Sequence, residues 1–213
     1  MHTRRIAGIG LLLYGLGTVL AFFFSGAPGG DYQDSAVSDY VASSGWLAAF
    51  GFAYLGAFAA LGLLVFGRNL RPMLGSAGDL VWGLTVAGAA TGVVGWFVDG
   101  GLDVAMAEGG RHVQTGVPLP VVYTITEIGN LLAVCSPAFF VGVAACVMAA
   151  RAPLPRWLRV FSVVAGVCGV LAPLFVTYLV FVLWTLVCGA TLATSRGTVI
   201  EAAGAQPAHV QPA

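Results

Sequence analysis

The sequence predicts an all-α membrane protein, a polytopic bundle of six transmembrane helices. Only 8% of the 213 residues are charged, whereas a soluble domain uses about a quarter of its residues for charge. The mean hydropathy is +0.93, and the apolar residues come in blocks of about 20, the length that crosses a hydrocarbon core about 30 Å thick. Because these blocks lack the alternation of barrel strands, we expect helices.

The first two apolar blocks predict helices at Ile6–Phe24 and at about Gly45–Phe66. The first follows a basic start, but it is longer than the apolar region of a secretory signal, about 7–15 residues, so we expect an uncleaved helix. Trp46 suits the membrane interface at the entry of the second helix. Arg68 and Arg71 follow its end.

The third predicted helix, Leu80 to about Val98, carries a row of small residues on one face. Gly88, Gly92, Gly95 and then Asp99 are spaced four, three and four residues apart, which is the spacing of one helix face. Small residues at this spacing let a neighbouring helix approach closely. We therefore predict a packing seam, which could also hold a membrane-protein partner or a second copy.

The remaining apolar sequence predicts three more helices. The fourth runs from about Pro120 to Ala150. The block Val160–Ala193 would be about 50 Å long as one helix, far more than a bilayer needs, and Pro173 lies in its middle. We expect two helices between Trp157 and Thr194, joined by a short turn near 172–177. One over-long helix, and thus five in all, is the alternative.

The arginines predict the orientation in the membrane, and the chain has no lysine. With six helices and both termini in the cytoplasm, every arginine except Arg111 is cytoplasmic, as the positive-inside rule requires. A five-helix chain would export Arg196. We expect a multi-pass protein of the bacterial cytoplasmic membrane, with one transmembrane domain over residues 1–196. The Ala/Gly/Pro-rich tail, 197–213, is predicted to be disordered and cytoplasmic.

Polar residues concentrate between Trp96 and Asn130, which hold four of the nine acidic residues. The helix rise places Asp99 about 28 Å from Leu80 and Glu127 about 35 Å from Ala150, so both reach the outer edge of the hydrocarbon core. The candidate ligand or ion site consists of Asp99, Asp103, Glu127, Asn130, Arg111 and His112.

Three hypotheses fit this cluster. Carboxylates beside a histidine can bind a cation or pass on protons, which suits a non-enzymatic transport, sensing or complex subunit. A carboxyl pair can also perform acid–base chemistry, as in a membrane-embedded enzyme. In the third hypothesis the carboxylates are solvated interfacial groups, and the protein is a purely structural partner.

Several function classes lack their sequence signature. The chain contains no HExxH, GxSxG or P-loop motif, so no catalytic residue and no cofactor is assigned. The four cysteines lie in apolar blocks without CxxC spacing, which favours neither a zinc site nor disulfides. No basic aromatic surface suggests nucleic acid. The predicted partner is the lipid bilayer, and a metal at the acidic cluster is left open.

Three short features carry a resemblance to a known group of proteins. They are the LPRWLR loop (Leu154–Arg159), Asp99–Gly100 after the third helix, and Glu127 early in the fourth. In these the chain resembles a small family of actinobacterial integral membrane proteins, a domain of unknown function with about six helices. The resemblance spans most of residues 6–196. It implies a six-helix architecture and brings no activity.

Overall fold

The computed structural model describes residues 2–24, 45–112 and 119–194, with three isolated positions between the first two ranges. Within these ranges the chain forms six helices and no strand, which confirms the predicted fold class. The helices are α1 (His2–Phe24), α2 (Gly45–Leu70), α3 (Gly78–His112), α4 (Leu119–Asn130, a π-helical turn at Leu131–Cys135, and Ser136–Arg151), α5 (Arg156–Val170) and α6 (Val176–Thr194). The predicted tail lies outside the described residues.

Five of the described helices are long and apolar enough to cross a membrane. The exception is α5, which has 15 residues and is therefore only about 22 Å long. The long helices also carry many exposed apolar side chains, among them Phe23, Phe58 and Val94. Such a surface is stable against lipid but not against water.

The helices form a ring. Each packs against its neighbour in the chain, and α1 closes the ring by packing against α6. The largest fully buried side chains fill the inside of this ring, among them Tyr14, Phe66, Phe181 and Trp184. Because consecutive helices are antiparallel, one end of the ring collects the arginines of α1, α2, α4 and α5. We call this the arginine end, and the opposite end, with Asp99, the acidic end.

Glycines set the helix spacing at several of these seams. A Cβ at Gly8 would lie 2.5 Å from the carbonyl oxygen of Gly189, and one at Gly142 would lie 2.6 Å from that of Gly166. Both pairs bring helix backbones into direct contact, as small residues do in membrane bundles. The predicted seam on α3 is likewise filled from within the chain, since Gly95 lies against the backbone of Leu132.

The predicted break in the last apolar block is confirmed. After α5 the chain makes one 3₁₀ turn, Ala172–Leu174, around Pro173. Phe175 then takes a positive φ of 56°, a conformation uncommon for a side-chain-bearing residue. The block is therefore two helices, and the five-helix alternative is wrong for this fold.

The predicted end of the third helix was too early. The helix does not stop at Val98 but continues through Gly100 and Gly101 to His112. Gly100 lies inside a helix contact, because a Cβ there would be 2.5 Å from the Cβ of Ala53 on α2. This packing outweighs the weak helix propensity of two adjacent glycines.

Candidate functional site at the acidic end of α3 and α4

Two carboxyl groups are buried at the acidic end of α3. Asp99 and Asp103 are 7% and 2% exposed, and because they are four residues apart they lie on one face, about 6 Å from each other at Cβ. Each negative charge makes the other more costly where water is excluded. The charge state of Asp99 and Asp103 and the packing of the helices around them therefore depend on each other.

Gly129 of α4 makes the room for Asp99. A Cβ at Gly129 would lie 2.5 Å from Oδ1 of Asp99, so any larger residue would displace the carboxylate. This role could not be predicted from the sequence, because a glycine in an apolar helix is usually a packing residue. The one indication in the sequence is that Gly129 lies close to two polar residues, Glu127 and Asn130.

Glu127 lies on a different face of α4 from Gly129, the residue that contacts Asp99. Successive residues of an α-helix are about 100° apart, so side chains two positions apart point to nearly opposite sides. Glu127 is half-buried and lies within electrostatic range of the Cys135 thiol on its own helix. The structure thus brings Asp99 together with Gly129, whereas Glu127 lies on another face of α4, within range of Cys135. Asn130 is half-buried beside Gly129.

The part of the ring around Cys135 holds buried hydroxyl groups that the sequence pattern did not indicate. Tyr14 on α1 and Tyr178 on α6 are buried and lie within electrostatic range of each other and of Cys135. Neither tyrosine hydroxyl has a hydrogen-bond partner among the described residues. A tyrosine in an apolar helix is more often an interface anchor, so the sequence pattern alone could not reveal this cluster.

Cys135 belongs to the π-helical turn of α4, Leu131–Cys135. Single π-helical turns inside α-helices are rare, and many of those that occur lie at functional sites. Here the carbonyl of Leu132 lies against Gly95 on α3. The π-helical turn therefore lies between two buried groups. One is the carboxyl pair, which begins one helix turn after Gly95 on α3, and the other is the hydroxyl cluster on α1 and α6.

The two remaining predicted site residues lie at the end of α3. Arg111 and His112 are helical, but their side chains lie outside the described part of the structure, so their role stays a prediction. Within the described residues no group of three or more His, Cys, Asp or Glu side chains could hold a metal ion. At the arginine end, Arg71 donates to Asp79 over 2.6 Å in an exposed ion pair.

Comparisons with protein-family models, curated proteins and solved structures find no match to this chain. The likeness to the six-helix actinobacterial family therefore stays a prediction.

Proposed function

We propose that this protein is a non-enzymatic, multi-pass protein of the bacterial cytoplasmic membrane that takes up a proton at Asp99 and Asp103, as part of transport or sensing. The observation that supports this proposal is the burial of both carboxyl groups one helix turn apart. Ionisable groups within membrane helices are expensive to bury and commonly mark ion or proton pathways.

A proton suits this pair better than a divalent metal. Ca²⁺ takes six to eight oxygen ligands and Mg²⁺ demands near-octahedral coordination, whereas a proton needs one oxygen. Binding one proton also removes the repulsion between the two carboxylates.

Uptake at Asp99 would act directly on helix packing. Its Oδ1 lies 2.5 Å from the position that a Cβ at Gly129 would occupy. Trp96, one turn earlier on α3, is buried against Gly56 of α2. A change in the charge or hydration of Asp99 therefore acts on the contacts of α3 with both neighbours.

The arginines support the proposed orientation. Arg5, Arg68, Arg151 and Arg156 all lie at one end of the ring, because they sit at the start of α1, the end of α2, the end of α4 and the start of α5. The positive-inside rule places this end in the cytoplasm. The buried carboxyl pair then takes its proton from the outer side.

We expect the fluorescence of Trp96 to depend on pH. In lipid nanodiscs, the pH-dependent part of the tryptophan emission should vanish in Trp96→Phe, which identifies the reporter. It should also vanish in the double variant Asp99→Asn/Asp103→Asn, because neither amide can titrate. The matched control is Asp79→Asn on the same helix, which should keep the wild-type response because Asp79 is exposed at the other end.

A response that persists in this double variant would overturn the proposal. Proteoliposomes with an enclosed pH indicator then separate the two roles. Proton flux that Asp99→Asn abolishes indicates transport, whereas an emission change without flux indicates sensing.

A further inference from the structure

The turn between α5 and α6 has an unusual surface. Its sequence, Leu171–Val176, contains no polar side chain, although turns that face water are rich in Gly, Asn, Asp and Ser. Its largest side chains also point outward, since Leu174, Phe175 and Val176 are 65%, 52% and 70% exposed. Such a turn would be costly in water.

The backbone of the turn uses internal hydrogen bonds. Three N–H groups donate to carbonyls of the turn or of α5, namely Leu171 to Val167, Leu174 to Leu171, and Phe175 to Ala172. Pro173 has no N–H group, and the Thr177 hydroxyl donates to the carbonyl of Leu171. Within membrane helices, 3₁₀ turns and Ser/Thr side chains of this kind pair backbone groups that a proline break leaves free.

The length of the helices places the turn short of the outer surface. From Arg156 to Leu171 the helix rises about 22 Å, and from Thr194 back to Val176 about 27 Å. A hydrocarbon core is about 30 Å thick. Measured from the arginine end, the turn therefore stops about 3–8 Å inside the hydrocarbon.

The packing of α5 on α4 gives an independent depth. A Cβ at Gly169 would lie 2.7 Å from the carbonyl oxygen of Ala138, so these two residues are level. Along α4, Glu127 lies about 16 Å beyond Ala138, whereas Pro173 lies only about 6 Å beyond Gly169. The turn is thus about 10 Å closer to the arginine end than Glu127 is. Because Glu127 lies at the outer edge of the hydrocarbon core, this agrees with the first estimate of the depth.

The surroundings of the turn are apolar as well. The ring of Phe175 lies 6.1 Å from that of Phe22 near the end of α1. Beside it, Phe23 of α1 is exposed, so the apolar surface of the turn adjoins that of α1. The same solvent must cover both.

We propose that the α5–α6 turn ends inside the hydrocarbon layer and is covered by lipid acyl chains. It follows that α5 does not reach the far side of the hydrocarbon layer.

Spin labels test the depth of the turn in the full chain. The four native cysteines are replaced by alanine, and a nitroxide is attached at Leu174→Cys or Val176→Cys in nanodiscs. Relaxation by oxygen should be strong and relaxation by a water-soluble nickel chelate weak at both positions. Ser76→Cys, in the exposed loop at the arginine end, should show the opposite order.

Accessibility to the nickel chelate at Leu174 would place the turn in water and overturn the proposal. Accessibility to neither reagent would show cover by protein, a second copy included, and would overturn it equally. A charge offers a second measurement that keeps the native cysteines. Leu174→Asp should lower the melting temperature in nanodiscs, whereas Val121→Asp, near the start of α4, should not. Equal melting temperatures would contradict a turn embedded in lipid.

Discussion

Replacing Trp184 with alanine is expected to destabilise the ring more than any other single truncation. Among the described residues, Trp184 is the largest fully buried side chain, and its indole N–H donates to Oγ of Ser162 over 2.9 Å. Truncation leaves a cavity and should lower the free energy of unfolding by about 3–5 kcal/mol. Reversible unfolding in mixed micelles measures this change.

A second variant separates packing from hydrogen bonding at the same site. In Ser162→Ala the buried indole keeps its volume but loses its acceptor, which should cost about 1–2 kcal/mol. In Trp184→Phe, the further change Ser162→Ala should cost much less, because no donor is then left unpaired. Equal costs in the two backgrounds would show that the hydrogen bond contributes nothing.

Replacing Gly95 with alanine is expected to have the next largest effect. The added methyl group would meet the backbone of Leu132 and Ala133 in the π-helical turn, and backbone cannot rotate away as a side chain can. We expect the free energy of unfolding to fall by about 1–3 kcal/mol, the usual effect of overpacking.

The same helix offers a control for this substitution. Gly83 has nothing within 4 Å of the position its Cβ would occupy. Gly83→Ala should therefore be neutral or stabilise the helix by up to about 1 kcal/mol, because alanine loses less backbone entropy than glycine. If Gly95→Ala were as harmless as Gly83→Ala, the close contact of α3 with the π-helical turn would be wrong.

Much of the fold follows from the sequence because lipid leaves few choices. Apolar blocks of bilayer length must be helices, and a proline in the middle of an over-long block predicts the break found at Pro173. Two features could not be predicted. The continuation of α3 depends on the packing of Gly100 against Ala53. The π-helical turn has no residue pattern of its own.

The candidate site was less predictable than the fold. Helical spacing places Asp99 and Asp103 on one face, and the structure buries both. Whether Glu127 belongs to the same site depends on the rotation of α4 about its axis. That rotation is set by which residue packs at the seam, and the structure places Gly129 there. Periodicity defines the faces of a helix but does not say which face meets a given neighbour.

The charge state of the Asp99–Asp103 pair is the central claim, and infrared difference spectroscopy measures it directly. In nanodiscs titrated from acid to alkaline pH, we expect a carboxylic-acid C=O band that disappears as the pair loses its proton. The band should be absent from the double variant Asp99→Asn/Asp103→Asn and unchanged in Asp79→Asn. A titrating band of wild-type size in the double variant, or no such band in the wild-type protein, would contradict proton uptake at this site.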